Sequence, residues 1–361
     1  MGLLVTHLEL AGFRSYERFT VEPDPELTVL VGPNAAGKTN IIEAVELLTA
    51  AESFRHPSWG DVVKWGSQEA RLSLRAEGDG RVLDVVMTAT TAGRRTYQVN
   101  GKIRRRVSEV AGILPCVVFT PDDLRIVKDA AERRRAAVDG VGDQLSPAYR
   151  RARVEYERIL RHRNSLLREE VRDEQMLSLW TGRLVESGVA FSGHRSRLFE
   201  RLSTRMSEVY RMLSGGEHLL SLYQPSWEFW SPEVKDHHEA MSGALVAKNR
   251  EERGRGTTLI GPHRDEIIFL IDGRDARTFA SQGQQRTIAL AWKLSEVGVI
   301  AEIGGQQPVL LLDDVMSELD EGRRHALTNF VGEAAQTFVT TTNLGYFEDE
   351  FVDRAKVVSL T

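Results

Sequence analysis

The sequence predicts an α/β fold in which an all-helical lobe is inserted between the two halves of a sheet-based core. Strand-like runs lie towards both ends of the chain, for example LTVLV at 27–31 and PVLLLDD at 308–314. Between them, from Ser146 onward, apolar residues recur at three- and four-residue spacing, which is the period of a helix. With 361 residues, the chain is long for one domain, which favours two units or one domain with a large insertion.

The N-terminal part of the chain predicts an antiparallel β subdomain. The segments RLSLRAE (71–77) and RVLDVVMTAT (81–90) alternate between apolar and polar residues, as half-exposed strands do. Further on, Asn100-Gly101 stands between two strand-like arms, which is the strongest short-range signal for a hairpin. We expect residues 1–120 to form the N-terminal half of the core.

The middle of the chain predicts helices. Ser146-Pro147 is a favourable helix start, and further helices are expected at 176–189 and 192–213, the latter ended by Gly215-Gly216. Strands return with IIFLIDG at 267–273. The expected units are therefore the N-terminal half at 1–120, the helical lobe at 121–255 and the C-terminal half of the core at 256–361.

Composition limits the class of protein. The single cysteine, Cys116, excludes an internal disulfide framework and fits a reducing, cytoplasmic location. No apolar run approaches the ~20 residues that a membrane span needs, so no membrane partner is expected. The formal net charge is −5, yet residues 94–168 carry 18 Lys and Arg against 9 Asp and Glu. This uneven distribution indicates an anionic partner for that stretch.

A phosphate-binding loop follows the first buried strand. VGPNAAGKTN (31–40) contains the Walker A pattern, preceded by a strand and followed by the apolar helix pattern of IIEAVELL. Glycines let backbone N–H groups approach phosphates, and the helix N-terminus adds its positive dipole end. Lys38 would reach the β- and γ-phosphates of ATP, and the Thr39 hydroxyl would bind Mg²⁺. The expected nucleotide contacts here are Gly32, Pro33, Asn34, Ala35, Ala36, Gly37, Lys38 and Thr39.

A second metal anchor is expected at the end of the run VLLLDD (309–314). Asp313 would hold the magnesium ion directly or through water, and Asp314 would act as a base or orient the attacking water. Lys38, Asp313 and Asp314 are therefore the expected catalytic residues. Roughly 270 residues separate Thr39 from Asp313, so a large segment is inserted between the two halves of the site.

Six polar residues, Ser281 to Arg286, stand immediately before an apolar helix. A serine hydroxyl, a glycine backbone and a helix dipole together form an anion site. In ATPases of the ABC type this signature segment caps the γ-phosphate bound by the opposite subunit, which implies an ATP-dependent homodimer. The expected contacts are Ser281, Gly283, Gln284 and Arg286. The alternative is an ordinary capped core helix.

Two further segments match that architecture. SELD at 317–320 stands where the D-loop crosses between subunits. Thr342 occupies the place where such ATPases usually carry a switch histidine, so the γ-phosphate sensor is either a hydroxyl or lost. We therefore expect slow hydrolysis that acts as a timer.

The chain resembles the RecF family of bacterial recombination-mediator ATPases, which are related to the heads of SMC proteins. The segments that carry the likeness are LELAGFRSYE, GPNAAGKTNIIEAV, VVFTPDDLRIVK, QLSPAYRRARVEYERILRHRNSLL, GPHRDEIIFLIDG, FASQGQQRTIALAWKL and VLLLDDVMSELD. The resemblance implies an ABC-type P-loop ATPase head, with a mixed sheet, flanking helices and an antiparallel β subdomain. It also implies that Arg14 approaches the nucleotide.

The same resemblance implies partners and an activity. It implies an ATP-dependent dimer with weak, DNA-stimulated ATPase activity that binds DNA where single strands meet duplex. It further implies action with RecR and RecO to load recombinase at gaps. Two segments depart from the family pattern: the loop has Asn-Ala-Ala-Gly where a Gly-Gln pair is common, and ESFRHPSW (52–59) replaces an Arg-Ser-His-Arg run.

The basic stretch is the physical candidate for DNA contact, since phosphates need only dense cationic side chains. The candidates are Arg104, Arg105, Arg106, Arg133, Arg134, Arg135, Arg150, Arg151 and Arg153. The alternative for each is a solvated arginine paired with a nearby acid. Trp227 and Trp230 could stack on bases or belong to the core. His237 and His238 lack the spaced partners of a zinc site, and His263 has no assigned role.

Two other functions share this ATP chemistry. A nucleotide-binding subunit of a membrane transporter would need an apolar groove for a coupling helix, whereas this insertion is rich in arginine. A non-catalytic interaction module would use ATP only as a structural wedge.

Overall fold

The computed structural model describes residues 2–169, 173–227, 234–334 and 336–361. The strands are β1 (Leu4–Phe13), β2 (Tyr16–Val21), β3 (Leu27–Val31), β4 (Glu69–Gly78), β5 (Arg81–Thr90), β6 (Arg95–Val99), β7 (Lys102–Arg104), β8 (Cys116–Phe119), β9 (Leu219–Gln224), β10 (Glu266–Ile271), β11 (Arg274–Asp275), β12 (Val309–Asp313), β13 (Thr337–Thr341) and β14 (Lys356–Ser359). The helices are α1 (Lys38–Thr49), α2 (Ala131–Leu145), α3 (Pro147–Arg168), α4 (Glu174–Ser214), α5 (Val234–Arg255), α6 (Ala276–Phe279), α7 (Gln282–Gly304), α8 (Glu321–Ala334) and α9 (Asp349–Asp353).

The chain divides into two compact units. The first contains Met1–Arg125, Met212–Gly215 and Gln282–Thr361, and the second contains Ile126–Arg211 and Gly216–Ser281. The inserted lobe is expected from the sequence to end at 255, whereas residues 256–281 belong to the second unit. The reason is that β10, in this stretch, pairs with β9 of the lobe along its whole length.

A parallel sheet of five strands, in the order β14-β3-β13-β12-β8, forms the core of the first unit. Its strands come from both ends of the chain, as the sequence predicts, but the sheet is entirely parallel and not mixed. Every residue of β12 is buried, which explains its continuous apolar run. Because parallel strands end at a common edge, the loops after β3, β12 and β13 emerge side by side.

An antiparallel sheet, in the order β2-β1-β4-β5-β6-β7, completes the first unit. The predicted hairpin between β6 and β7 is confirmed. Its turn residues Asn100 and Gly101 have φ angles of 49° and 73°, the left-handed conformation that a tight two-residue hairpin turn requires.

Helix α1 contacts strands of both sheets in the first unit. Ile41, Ile42 and Val45 are fully buried in one apolar cluster with Leu8 of β1 and Leu311 of β12. This packing fixes the first turn of α1 at the carboxyl edge of the parallel sheet, where the phosphate-binding loop begins.

The second unit is mainly helical but is not all-helical, because β11-β10-β9 form a small antiparallel sheet within it. The two helices expected at 176–189 and 192–213 form one continuous helix, α4. Gly188 lies inside this helix, and a Cβ there would come within 2.8 Å of the Met241 side chain, so the glycine allows close packing. No described helix is long and apolar enough to cross a membrane.

Candidate nucleotide site

The loop from Gly32 to Thr39 connects β3 to α1 at the carboxyl edge of the parallel sheet. Gly37 is the N-cap of α1 with a φ of 94°, and no side chain among the described residues caps it. A Cβ on Gly37 would lie 2.7 Å from the Tyr16 hydroxyl, and one on Gly32 would lie 2.5 Å from the Leu360 carbonyl oxygen. Both glycines are therefore sterically required, and within the described part of the chain no side-chain cap competes with an anion for the N–H groups at the start of α1.

The Asn-Ala-Ala-Gly run, which departs from the family pattern, places an alanine in a strained backbone conformation. Ala35 adopts a φ of 69°, the left-handed region that favours glycine. For a residue with a Cβ this conformation costs roughly 1–2 kcal/mol. The residue without glycine's freedom at this position is therefore held in a strained backbone conformation.

The Lys38 ammonium group lies against the phosphate-binding loop. Its Nζ donates hydrogen bonds to the carbonyl oxygens of Gly32 (2.7 Å) and Pro33 (2.9 Å), and the residue is only 6% exposed. An ammonium group held by two carbonyls can transfer to phosphate oxygens without a large movement of its stem. Lys38 is thereby placed for the predicted phosphate contact.

Asp313, at the end of β12, lies beside Thr39 although 274 residues separate them. The Thr39 Oγ1 donates to Asp313 Oδ1 over 3.0 Å, and Thr340 Oγ1 donates to the same oxygen over 2.8 Å. Burial raises the pKa of the Asp313 carboxyl, while the two threonine hydrogen bonds lower it in part.

This donor set fits a magnesium ion. Magnesium takes oxygen ligands and is bound through one or two protein groups together with phosphates and water. Thr39 and Asp313 supply such groups side by side. No cluster of three or more His, Cys, Asp or Glu side chains in the described part of the chain could hold a metal alone. When bound, the ion would neutralise charge on the phosphate oxygens.

Asp314 follows in a left-handed conformation with a φ of 53°. Its N–H donates to Thr340 Oγ1 over 2.8 Å, so one threonine holds both acidic residues. Strained non-glycine backbone of this kind is concentrated at functional sites. Burial raises the pKa of the Asp314 carboxyl, and nearby Lys38 lowers it in part.

Thr340 is a residue that the sequence reasoning missed. It is fully buried in β13, directly opposite Asp313 in the parallel register. The polar run TTTN at 340–343, directly after the apolar pair Phe338-Val339, was the available signal. Thr342, the residue expected at the switch-histidine position, is exposed just beyond β13.

Arg14 forms an ion pair with a carboxylate on α1, the helix that follows the phosphate-binding loop. Its Nε and Nη2 donate to Glu43 Oε2 (2.9 Å) and Oε1 (2.6 Å), and Glu43, on α1, is fully buried. Arg55 donates to the same carboxylate over 3.1 Å and to Asn40 Oδ1 over 2.8 Å. The sequence reasoning missed Glu43 and Arg55; Arg55 lies in the segment that departs from the family pattern.

A cleft of about 780 Å³ opens beside the start of α1. Its lining includes Arg14, Asn40, Lys64 and Trp65, and the Trp65 residue is 99% exposed. An exposed indole in a cleft that also includes Asn40 of α1 offers a flat surface on which a base can stack.

The signature segment lies at the start of α7, whose later residues Ile288, Leu290 and Trp292 are buried. Ser281 and Gln282 are exposed, and Gly283, Gln284 and Arg286 are half-buried. Arg286 Nη2 lies 3.5 Å from Glu318 Oε2, in the turn that contains the predicted D-loop. The polar start of α7 is therefore presented to solvent next to that loop.

The candidate DNA arginines divide into exposed and buried groups. Arg105, Arg106 and Arg151 are exposed, and Arg104 is half-buried. Arg133 pairs with Asp129 at 3.3 Å, and Arg135 donates to the Asp265 carbonyl. Arg153 bonds Asp143 and Glu157.

Two of these arginines require a correction. Arg134 is 2% exposed and pairs with Glu266 at 2.7 Å, and Arg150 is 8% exposed and lies 3.4 Å from Asp143. A buried arginine is kept by acids that compensate its charge, so these two belong to the interior of the second unit and not to a DNA surface.

The tryptophans and histidines singled out from the sequence are buried or half-buried where the structure describes them. Trp227 is 7% exposed and belongs to the core, and Trp230 lies outside the described residues. His263 accepts from the Tyr156 hydroxyl at Nδ1 (2.6 Å) and donates from Nε2 to the Thr258 carbonyl (3.0 Å). Burial lowers the pKa of His263 to about 4, so the ring is neutral at neutral pH. His237 and His238 are half-buried.

Known proteins match this chain over nearly its whole length. The model of the RecF/RecN/SMC N terminal domain family matches residues 4–360. The DNA replication and repair protein RecF of Synechococcus sp. (strain JA-3-3Ab) is 38% identical over 360 residues, covering 98% of this chain and 95% of that protein. RecF of Moorella thermoacetica is 38% identical over 368 residues, covering 99% and 95%.

Solved structures agree with this result. A structure of the recombination mediator protein RecF with ATPrS, of the RecFOR pathway, has a TM-score of 0.89 and 31% identity, covering 96% of this chain and 94% of that one. An SMC head bound to the C-terminal winged-helix domain of ScpA has a TM-score of 0.57 at 18% identity and shows a likeness of fold alone. The predicted class, an ABC-type ATPase head, is confirmed.

Proposed function

Since the chain belongs to the RecF proteins of the RecF/RecN/SMC N terminal domain family, we propose that it is an ATP-dependent DNA-binding protein of recombinational repair and replication-fork maintenance. Its relatives carry DNA repair names, so the transporter subunit is set aside. Two copies close on ATP, bind DNA at gaps and reopen after slow hydrolysis.

The observation that carries this proposal is the hydrogen bond between Thr39, at the end of the phosphate-binding loop, and Asp313. Two polar groups from distant parts of the chain converge where a Mg·ATP complex would need them. Lys38 would bind the phosphates, the first turn of α1 would contribute N–H groups, and Asp314 would orient or deprotonate the attacking water.

The proposed dimerisation is supported by exposed residues around the start of α7. Ser281 and Gln282 are exposed, and the adjacent turn carries SELD at 317–320. In the proposed dimer, Ser281, Gly283, Gln284 and Arg286 of one copy cover the triphosphate held by the other. Thr342, with a hydroxyl in place of an imidazole, makes the hydrolysis slow.

The proposed DNA surface consists of exposed arginines in each unit, considered separately. In the first unit, Arg105 and Arg106 follow the hairpin strand β7, and in the second unit Arg151 lies exposed on α3. Such side chains give salt-sensitive binding that does not depend on sequence. Action with RecR and RecO is proposed from the RecFOR pathway named for a solved relative, and preference for gaps is proposed from the resemblance to the RecF family.

The DNA surface is tested by reversing charge at the hairpin. We expect the double variant Arg105→Glu/Arg106→Glu to retain gapped duplex about tenfold less well in a filter-binding assay with ATP at low salt. Each lost phosphate contact should lower the slope of log affinity against log salt by about 0.9. The matched control is Arg81→Glu/Arg354→Glu, which reverses two exposed arginines of the same unit.

Equal retention of the hairpin variant and the control across the salt series would contradict the assigned surface. Blunt duplex of the same length, run in parallel, measures the preference for gaps. Added RecR and RecO should increase the complex retained on gapped DNA and leave blunt duplex unchanged.

A further inference from the structure

Arg323 lies where the predicted D-loop meets the signature helix. It is the third residue of α8, directly after SELD at 317–320. Its N–H donates to Asp320 Oδ1 over 3.0 Å, and its guanidinium Nη1 also bonds the Asp320 carboxylate. One side of this arginine is thus fixed to the last residue of the D-loop.

The other side of the guanidinium binds the first turns of α7. Nε and Nη2 donate to Thr287 Oγ1 over 2.9 and 2.7 Å, and Nη2 donates to the Gly283 carbonyl over 2.8 Å. A Cβ on Gly283 would lie 3.2 Å from Nη2, so the glycine leaves room for this contact. The side chain is 22% exposed, which limits competition from water.

We propose that Arg323 is a positioning residue that locks the D-loop to the start of the signature helix within one subunit. The inference rests on the proposed function, in which both segments reach the opposite subunit's triphosphate. A planar guanidinium can bind acceptors on both sides at once, which a lysine ammonium on a flexible stem does not reproduce. The two segments are therefore presented to the partner copy as one rigid element.

Arg323 acts through its neighbours and not by contact with ATP. Each of its three guanidinium nitrogens already has an acceptor, on Asp320, Gly283 or Thr287. Arg323 belongs neither to the phosphate-binding loop of its own subunit nor to the residues proposed to bind the metal ion. Its removal should leave the first encounter with ATP intact and impair the step that needs two subunits.

The experiment compares Arg323→Lys and Arg323→Ala with the neighbouring control Arg324→Ala. Arg324 lies on the same helix with its guanidinium 5.4 Å from the centre of the Tyr346 ring. Nucleotide affinity is measured with a fluorescent ATP analogue at protein concentrations where the chain is monomeric. Dimer mass by light scattering and kcat with KM for ATP are measured on the same preparations.

We expect both Arg323 variants to bind nucleotide within about twofold of wild type, while kcat and the ATP-dependent dimerisation constant fall about tenfold. The Arg324 variant should behave as wild type. Thr287→Val, which removes an acceptor while keeping the volume, should show part of the same loss. In the Arg323→Lys background it should add nothing, because the contact is already gone.

Three results would overturn the inference. Wild-type dimerisation and kcat in both Arg323 variants would show that no coupling exists. Full rescue by lysine would show that charge alone suffices, and additive effects of Thr287→Val would separate the two residues. Melting curves check folding; if alanine unfolds the chain, the lysine and valine variants decide. Failure of wild type itself to dimerise would instead refute the proposed function, and the inference with it.

Discussion

Lys38→Met is expected to lose ATP binding by about 10- to 100-fold and with it every ATP-dependent response. Lys38 is the buried cation of the phosphate-binding loop, and its two present acceptors are loop carbonyls at 2.7 and 2.9 Å. Methionine keeps most of the volume but removes the charge that a triphosphate needs, and hydrogen bonds from a charged group contribute about 1.5–3 kcal/mol each. Isothermal titration with ATP and Mg²⁺ measures the loss.

The matched control for this variant is Lys356→Met. Lys356 is an exposed lysine of the same unit, at the start of β14 and outside the cleft lining. It should leave ATP-dependent dimerisation and DNA retention at wild-type levels. A Lys38→Met protein that binds ATP and dimerises like wild type would refute the assignment of the loop.

Asp314→Asn is expected to separate ATP binding from hydrolysis. The variant should bind ATP and dimerise, while kcat falls about 100-fold or more, the range that removal of a general base produces. Asparagine also accepts the left-handed backbone that Asp314 adopts at a φ of 53°. Single-turnover hydrolysis and the lifetime of the dimer after removal of free ATP are the measurements, and the lifetime should lengthen.

The pH dependence supplies a second readout at this position. Burial raises the pKa of Asp314, and a base acts only when ionised, so wild-type kcat should fall as the pH drops through that raised value. Asp314→Asn should remove this limb. Asp272→Asn is the control, because Asp272 is exposed in a turn with a φ of 47°. Unchanged kcat in Asp314→Asn would refute the assignment of Asp314 as the base. Loss of kcat with intact cellular function would favour a non-catalytic interaction module, in which ATP is only a structural wedge.

The parts of the fold that the sequence predicted are those that local pattern determines. The alternation in β4 and β5, the Asn100-Gly101 turn and the buried runs of β3 and β12 each follow from residues close in sequence. The phosphate-binding loop was predicted for the same reason, since its strand, glycines and helix are contiguous.

The parts that were missed depend on contacts between distant residues. Arg134 is buried because Glu266, 132 residues later, neutralises it, and no local pattern shows that pairing. Thr340 joins the site only through the parallel register of β12 with β13. The small sheet of the second unit forms because β9 pairs with β10, although α5 separates the two strands in the sequence.

The most direct test of the central claim is the mass of the protein in solution with and without ATP. Light scattering should give 40.5 kDa without nucleotide and twice that mass with ATP or a non-hydrolysable analogue. Lys38→Met should stay at the lower mass under both conditions. A wild-type chain that remains at 40.5 kDa at high concentration, with the analogue bound, would contradict the account that two copies complete each other's site.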